Sequence, residues 1–142
     1  AMKKPLPIVF LCALLGLAGC QTTQTTDPEE SLVGTTWQLQ YMEGYDLERI
    51  EGLERPTLLL DSQTRRAGGS SGVNRYSMGY ILEGTSLRFE QGASTRMAGP
   101  PEAMDFEQAF LNSLQTVTSW SLQDGTLVLS SEGIPALRFQ KE

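Results

Sequence analysis

The sequence predicts an α+β domain in which a mostly antiparallel, curled and open barrel-like β-sheet packs on one amphipathic α-helix. Three observations carry this. Apolar side chains alternate with period two over most of the chain beyond Thr35, as half-buried strands require. Two short turns, Glu83-Gly84 and Asp124-Gly125, are flanked by alternating runs that can fold back on one another as hairpins. One segment, Pro101 to Leu114, leaves the alternation for helical spacing. Strands, a helix and strands again is the order of an antiparallel sheet with its helix on one face.

The elements follow in order. Thr35 to Tyr41 reads as a first strand with Trp37, Leu39 and Tyr41 on one face. Glu43 to Arg55 is a charged connection. Its carboxylates lack the spacing of an EF-hand loop, and Arg49 and Arg55 interrupt them, so a solvated, salt-bridged loop is expected rather than a calcium site. Thr57 to Asp61 is a short apolar run, read as a strand covered on both faces. Gly68-Gly69-Ser70-Ser71-Gly72 is read as a flexible strand connection that needs positive φ. A two-residue turn at Glu83-Gly84 pairs Leu82 with Thr85, Tyr80 with Leu87 and Met78 with Phe89. A turn at Asp124-Gly125 pairs Leu122 with Leu127 and Trp120 with Leu129, again bringing apolar side chains together. Ala136 to Gln140 is the last strand. In the helix, Ala103, Phe106, Phe110 and Leu114 form the core stripe, with Met104 and Leu111 beside it and partly exposed. Pro101 suits its first position, and Glu102 and Asp105 suit the positive end of its dipole.

The region before the domain reads as an address. Ala1 precedes Met2, the natural start. Met2-Lys3-Lys4 is cationic, Pro5 to Leu17 is apolar, and small residues follow, which is the layout of a secretory signal over residues 1–19. The apolar stretch is shorter than the ~20 residues a membrane span needs. Leu17-Ala18-Gly19-Cys20 resembles the bacterial lipobox, which implies cleavage before Cys20 and acylation of that cysteine. Gln21 after it implies, by resemblance to enteric-type lipoproteins, the outer membrane, facing the periplasm. Gln21 to Ser31 has no apolar residue, so residues 20–31 are expected to be a lipidated, disordered tether. The domain is read as residues 32–142.

Charge and composition exclude several function classes. Lys3 and Lys4 leave with the signal, so the whole chain's net charge of −6 becomes about −8, which opposes nucleic-acid binding. The two cysteines are Cys12 and Cys20, so the domain has no thiol. The chain has no histidine, and the domain's one lysine is Lys141. The usual general base, the commonest metal ligand and a Ser–Lys pair are therefore missing, and no cofactor or metal is expected. Ser70 and Ser71 have no base beside them in sequence, and the glycine run lacks the Gly-Lys-Ser/Thr ending of a P-loop.

Three stretches carry a family resemblance: Val33-Gly-Thr-Thr-Trp-Gln-Leu39, Gly72-Val-Asn-Arg-Tyr-Ser-Met-Gly-Tyr80 and Ser94-Thr-Arg-Met-Ala-Gly-Pro100, the last running into the helix. In order and spacing they resemble the META domain family, which includes the heat-inducible HslJ-type bacterial lipoproteins. The resemblance spans Leu32 to Lys141. It implies a sheet-rich α+β fold and, at the level of phenotype, association with heat stress and novobiocin tolerance. Val73 and Gly99 stand where many relatives carry cysteines. Their joint loss implies that these positions face each other and removes a possible disulfide.

Asn74, Arg75, Tyr76, Thr95, Arg96 and Met97, from the second and third motifs, form the candidate recognition surface. If the motifs lie on neighbouring strands, two guanidinium groups and an amide converge beside Met78 and Met97, suited to an anionic or amphipathic ligand or an envelope protein. The alternative, which the residue types favour, is structural: Asn74 caps a turn, Thr95 pairs across strands, and the arginines bond to backbone or acidic neighbours. The expected protein is a monomeric, non-catalytic envelope lipoprotein acting through protein contacts. A carrier or sensor of an amphipathic molecule is second, and an enzyme is third.

Overall fold

The computed structural model describes residues 2–5, 7, 19 and 27–142. Cys20 and residues 21–26 of the expected tether lie outside the described residues, as does most of the apolar part of the expected signal peptide.

Two helices and eight strands follow in order: α1 Pro28–Leu32, β1 Thr36–Met42, β2 Thr57–Asp61, β3 Arg66–Ser70, β4 Arg75–Glu83, β5 Ser86–Ser94, α2 Pro101–Thr116, β6 Ser119–Gln123, β7 Thr126–Ser131 and β8 Ile134–Lys141. Each strand pairs antiparallel with its sequence neighbour, and β8 returns to β1 through Leu39–Phe139 and Gln38–Gln140. The predicted curl thus runs to closure. The predicted helix begins at Pro101 as expected and continues to Thr116, where Val117 turns to extended backbone.

The position of α2 organises the interior. The Phe110 ring meets Tyr76 of β4 at 5.8 Å and Phe139 of β8 at 6.5 Å between centroids. β4 and β8 stand opposite one another in the ring of eight, so a side chain touching both lies in the lumen. Phe106, Phe110 and Leu114 are fully buried there, with Leu39, Leu58, Leu60, Leu87, Leu127, Leu129 and Leu137 from the strands. The barrel is therefore filled by its own helix. Phe106 and Phe110 are plain core, not the lining of a ligand chamber.

Register shows where alternation is a sufficient guide. The Asp124-Gly125 turn has positive φ at both residues, and Leu122–Leu127 and Trp120–Leu129 pair as predicted. The first hairpin differs. Its turn is Gly84-Thr85, with φ +58 at Gly84, the first central position that a type II′ turn reserves for glycine. The pairs are Leu82–Leu87 and Tyr80–Phe89, two residues from the predicted register, and a bulge then places Met78 opposite Gly92. A two-residue shift preserves which side chains face inward, so alternation alone could not exclude it.

Four further expectations are corrected. A shift between Leu39 and Tyr41 in the β1–β8 pairing turns Tyr41 out of the Trp37–Leu39 face. It is 44% exposed under the Arg138 guanidinium, and Met42 takes the inward place. β2 is covered on one face: Leu58 and Leu60 are buried but Leu59 is 38% exposed. The glycine run has the expected positive φ at Gly69 (+155) and Gly72 (+125), but it begins inside a strand, β3, where its backbone lies too close to its neighbours for a side chain. A Cβ on Gly69 would stand 2.5 Å from the Thr57 carbonyl oxygen. Finally, Pro28–Ser31, expected in the tether, belong to helix α1. Asp27 Oδ1 accepts the Glu29 N–H at 3.1 Å, Leu32 is fully buried, and the Trp37 indole donates to the Leu32 carbonyl at 3.1 Å. The Glu43–Arg55 connection is salt-bridged as expected, by Arg49–Asp46 and Arg55–Glu48, but it also buries Ile50.

Because Phe110 contacts opposite walls of the barrel, Phe110→Ala should cost about 3–5 kcal/mol. Urea unfolding of the variant beside the parent chain measures this, and a loss below about 1 kcal/mol would contradict the lumenal placement.

Candidate functional site

The second and third motifs meet on one buried residue. Asn74 lies in the short bend before β4 and is 3% exposed. Its Nδ2 donates to Glu107 Oε2 at 2.8 Å and to the Met97 carbonyl at 3.2 Å, and its backbone N–H donates to Glu107 Oε1 at 2.8 Å. Its Oδ1 accepts the Met97 N–H at 2.6 Å and the Thr95 hydroxyl at 2.9 Å. The Ser71 hydroxyl also donates to Glu107 Oε1, and the Ser71 N–H donates to the Asn74 carbonyl at 2.8 Å. Thr95 completes the cross-strand link, its hydroxyl accepting from the Arg75 N–H at 3.1 Å. Among the described residues, no buried side-chain nitrogen or oxygen is left unpartnered.

The cluster joins three pieces far apart in sequence: the Ser71–Asn74 bend, the Thr95–Met97 segment and helix α2. It fixes how the segment after β5 enters the helix. Thr95 therefore pairs across strands as expected, whereas Asn74 does not cap its own turn but ties the bend to Met97 and Glu107. Tyr76 is likewise not a surface residue. It is buried, its ring meets Phe110 edge-on, and its hydroxyl donates to the Thr57 carbonyl at 2.7 Å. Burial pushes its phenol well above the ordinary value of 10.0.

The anticipated convergence of Arg75 and Arg96 beside two methionines is corrected. Strand alternation turns Tyr76 and Met78 into the core and Arg75 out onto the sheet, where it lines a shallow depression over β2, β3 and β4. Arg96 lies in a different groove, of about 750 Å³, between the end of β5, the segment after it and α2. Met97, Met104 and Leu111 supply its apolar side chains, and Met97 is 56% exposed. Among the described residues, neither arginine is in an ion pair; the two pairs are those of the β1–β2 connection.

Glu107 is the residue that sequence reasoning missed. A signal was present: it falls four residues after Ala103 and three before Phe110, so a carboxylate sits on the apolar stripe itself. Ser71 is fully buried, and the carboxylate of Glu107, which lines the Arg96 groove, is taken up by three hydrogen bonds. Among the described residues, no group of three or more His, Cys, Asp or Glu is placed to hold a metal ion.

A meander barrel of eight strands, a helix whose apolar stripe fills its interior and a buried Asn–Glu pin between the second and third motifs define the class of protein. The META domain family profile matches residues 30–142, and the chain belongs to that family. Among solved structures, the chain is similar to an NMR structure of a protein from Burkholderia xenovorans. The identity is 28% and the TM-score 0.62, over 82% of this chain and 88% of that one. A crystal structure of a DUF4847 family protein from Bacteroides vulgatus shares the fold at 14% identity and TM-score 0.56, over 79% of this chain and 95% of that one. No curated protein matches in sequence.

Val73 and Gly99 do face each other: a Cβ on Gly99 would stand 3.5 Å from the Val73 Cβ and 2.8 Å from its Cγ2. That Cβ separation suits a disulfide. The V73C/G99C double variant should therefore oxidise to an intramolecular bond. It should be stabilised by about 3 kcal/mol, an increment abolished by reductant. Thermal melts with and without reductant, with mass spectrometry of the oxidised chain, check this.

The pin and the groove separate cleanly under mutation. Asn74→Ala leaves Glu107 and the Met97 N–H short of partners and should cost about 3 kcal/mol or more. Arg96→Ala and Arg75→Ala, both at exposed positions, should stay within about 0.5 kcal/mol of the parent. Chemical denaturation of the three variants decides between these roles.

Proposed function

We propose that this META-domain chain is a non-catalytic lipoprotein of the bacterial envelope. In this reading an acyl group on Cys20 holds it at the outer membrane, facing the periplasm. It supports membrane integrity under stress, including novobiocin-type challenge, by docking another envelope component. The observation that carries the docking role is the β5–α2 groove. It presents exposed Met97 and a guanidinium, Arg96, that has no ion-pair partner among the described residues. A partly exposed methionine beside an unanswered cation is surface that folding alone does not use. The chemistry of the residues supports a non-catalytic role. The chain has no histidine, and Ser71 and Glu107, its closest hydroxyl–carboxylate pair, are buried and committed to the pin.

A carrier of an amphipathic anion is the second reading, favoured by the same cation beside Met104 and Leu111. Native mass spectrometry of the host-made protein separates the two. A small molecule retained in stoichiometric amount supports the carrier, and an empty chain supports docking.

The role itself is tested by complementation. A deletion strain challenged with novobiocin should be rescued by the parent chain. It should not be rescued by Cys20→Ala, which removes the anchor, or by Met97→Asp, which charges the groove but leaves the pin intact. Full rescue by both variants sinks the proposal.

A further inference from the structure

Half of β5 has a side that nothing in the barrel pairs. β4 holds β5 through Tyr76–Ser94, Ser77–Ala93 and Met78–Gly92, but β6 meets it at Ser86–Ser119 alone. Beyond Phe89 the second edge of β5 faces α2 across the groove, where the Gln115 side chain donates to the Glu90 carbonyl at 3.1 Å. The register fixes where the remaining backbone groups point. The Thr95 N–H donates to the Arg75 carbonyl at 2.9 Å, so Thr95 and Ala93 direct their backbone groups at β4. The N–H and C=O of Gly92 and Ser94, between them, are directed at the groove. Small side chains at these positions leave that backbone uncovered, and an open edge of this kind is a template for another strand.

The groove has room and a charge preference. It continues past Gly92–Ser94 into a further 200 Å³ beside Tyr76 and Gln115. Of the residues lining both parts, Arg96 is the one cation and Glu107 the one anion. Glu107 already accepts three hydrogen bonds in the pin. The charge left to a ligand is therefore positive, on a chain whose net charge is −6.

We infer that this groove takes up an extended, acidic segment of a partner polypeptide, added to the sheet as a strand along Gly92–Ser94. A carboxylate of that segment pairs with Arg96, and alternate apolar side chains lie over Met104 and Leu111. The inference rests on reading the groove as the docking face and adds the chemistry of the partner. An amphipathic small molecule would satisfy Arg96 and the methionines but leave the aligned amide and carbonyl groups unmet, whereas a strand satisfies both.

Panning a phage-displayed random peptide library against the full chain tests this. Enriched peptides should be acidic and should alternate apolar residues. Synthetic copies should shift the Gly92 and Ser94 amide resonances of the 15N-labelled chain. Affinity should fall about tenfold or more with Arg96→Glu, an exposed substitution that spares the core, and similarly when alternate peptide nitrogens are methylated. No enrichment, peptides indifferent to backbone methylation, or concentration-dependent shifts at Gly92 and Ser94 without peptide, which would mean a second copy occupies the edge, each overturn the inference. The docking reading survives separately if the Met97→Asp strain still fails to complement while the peptides fail to bind.

Discussion

Glu107 sits on the stripe of α2 that enters the barrel, and a carboxylate in that position must be met by donors or it will not stay buried. Three donors meet it: the Asn74 amide, the Asn74 backbone N–H and the Ser71 hydroxyl. The same asparagine spends its oxygen on Thr95 and Met97. The arrangement fixes more than one bond's worth of structure. The chain between β5 and α2 has little apolar surface to hold it: Ser94, Thr95, Arg96, Met97 and Ala98 are all exposed. Hydrogen bonds to a buried hub do for that segment what burial does for the strands, and so fix where it and the helix sit against the barrel.

That position explains the asymmetry of the barrel. Seven of its eight seams hold three or more residue pairs, whereas β5 and β6 share one. These are the two strands that α2 connects. α2 runs along β5, where Gln115 reaches the Glu90 carbonyl, so beyond Ser86 this edge of β5 meets the helix rather than β6. The interior gains four fully buried helical side chains, Ala103, Phe106, Phe110 and Leu114, and β5 forgoes half of its second ladder. Large apolar side chains buried in a filled core outweigh a few net hydrogen bonds of about 1 kcal/mol each, which water can replace at an exposed edge. The open edge thus follows from filling the barrel.

What the sequence made legible follows the same physics. The stripe of α2, the partly exposed place of Leu111 beside it and the β6–β7 register were readable because apolar spacing and an Asp-Gly turn each select one solution. The β4–β5 register was not, since a shift of two keeps the same faces and the choice fell to which residue pair makes the turn. Tyr41 was misplaced because a bulge leaves no mark in alternation. β3 was hidden because Gly68 and Gly69 carry no side chain to alternate; their reason is the approach of the Thr57 and Tyr76 carbonyls. Of the six candidate site residues, Asn74 and Tyr76 are buried, Thr95 spends its hydroxyl across the strands, Met97 is exposed, and Arg75 and Arg96 part to different grooves. Residue type alone could not divide them, because asparagine and arginine serve both turns and ligands. Glu107 was readable in principle as the one charge on an apolar stripe.

The division of labour among the motif residues bears on how such a domain can bind anything. Asn74, Thr95 and the Tyr76 hydroxyl are consumed by the fold, and among the described residues no buried side-chain nitrogen or oxygen is left unpartnered. Surface available for recognition must then come from what folding did not use: the β5 edge, the methionine rim and Arg96. Their arrangement is rigid without being closed. β5 is held by β4 along its inner edge, and the segment carrying Arg96 and Met97 is fixed through Asn74 on one side and Thr95 on the other. A cation and an open strand edge held in fixed relation by a buried hydrogen-bond cluster lose little conformational entropy when a partner arrives. The pin is in this sense the link between fold and function: its hydrogen bonds are spent within the fold, and they hold in place the groove that Asn74, Thr95, Met97 and Glu107 help to line.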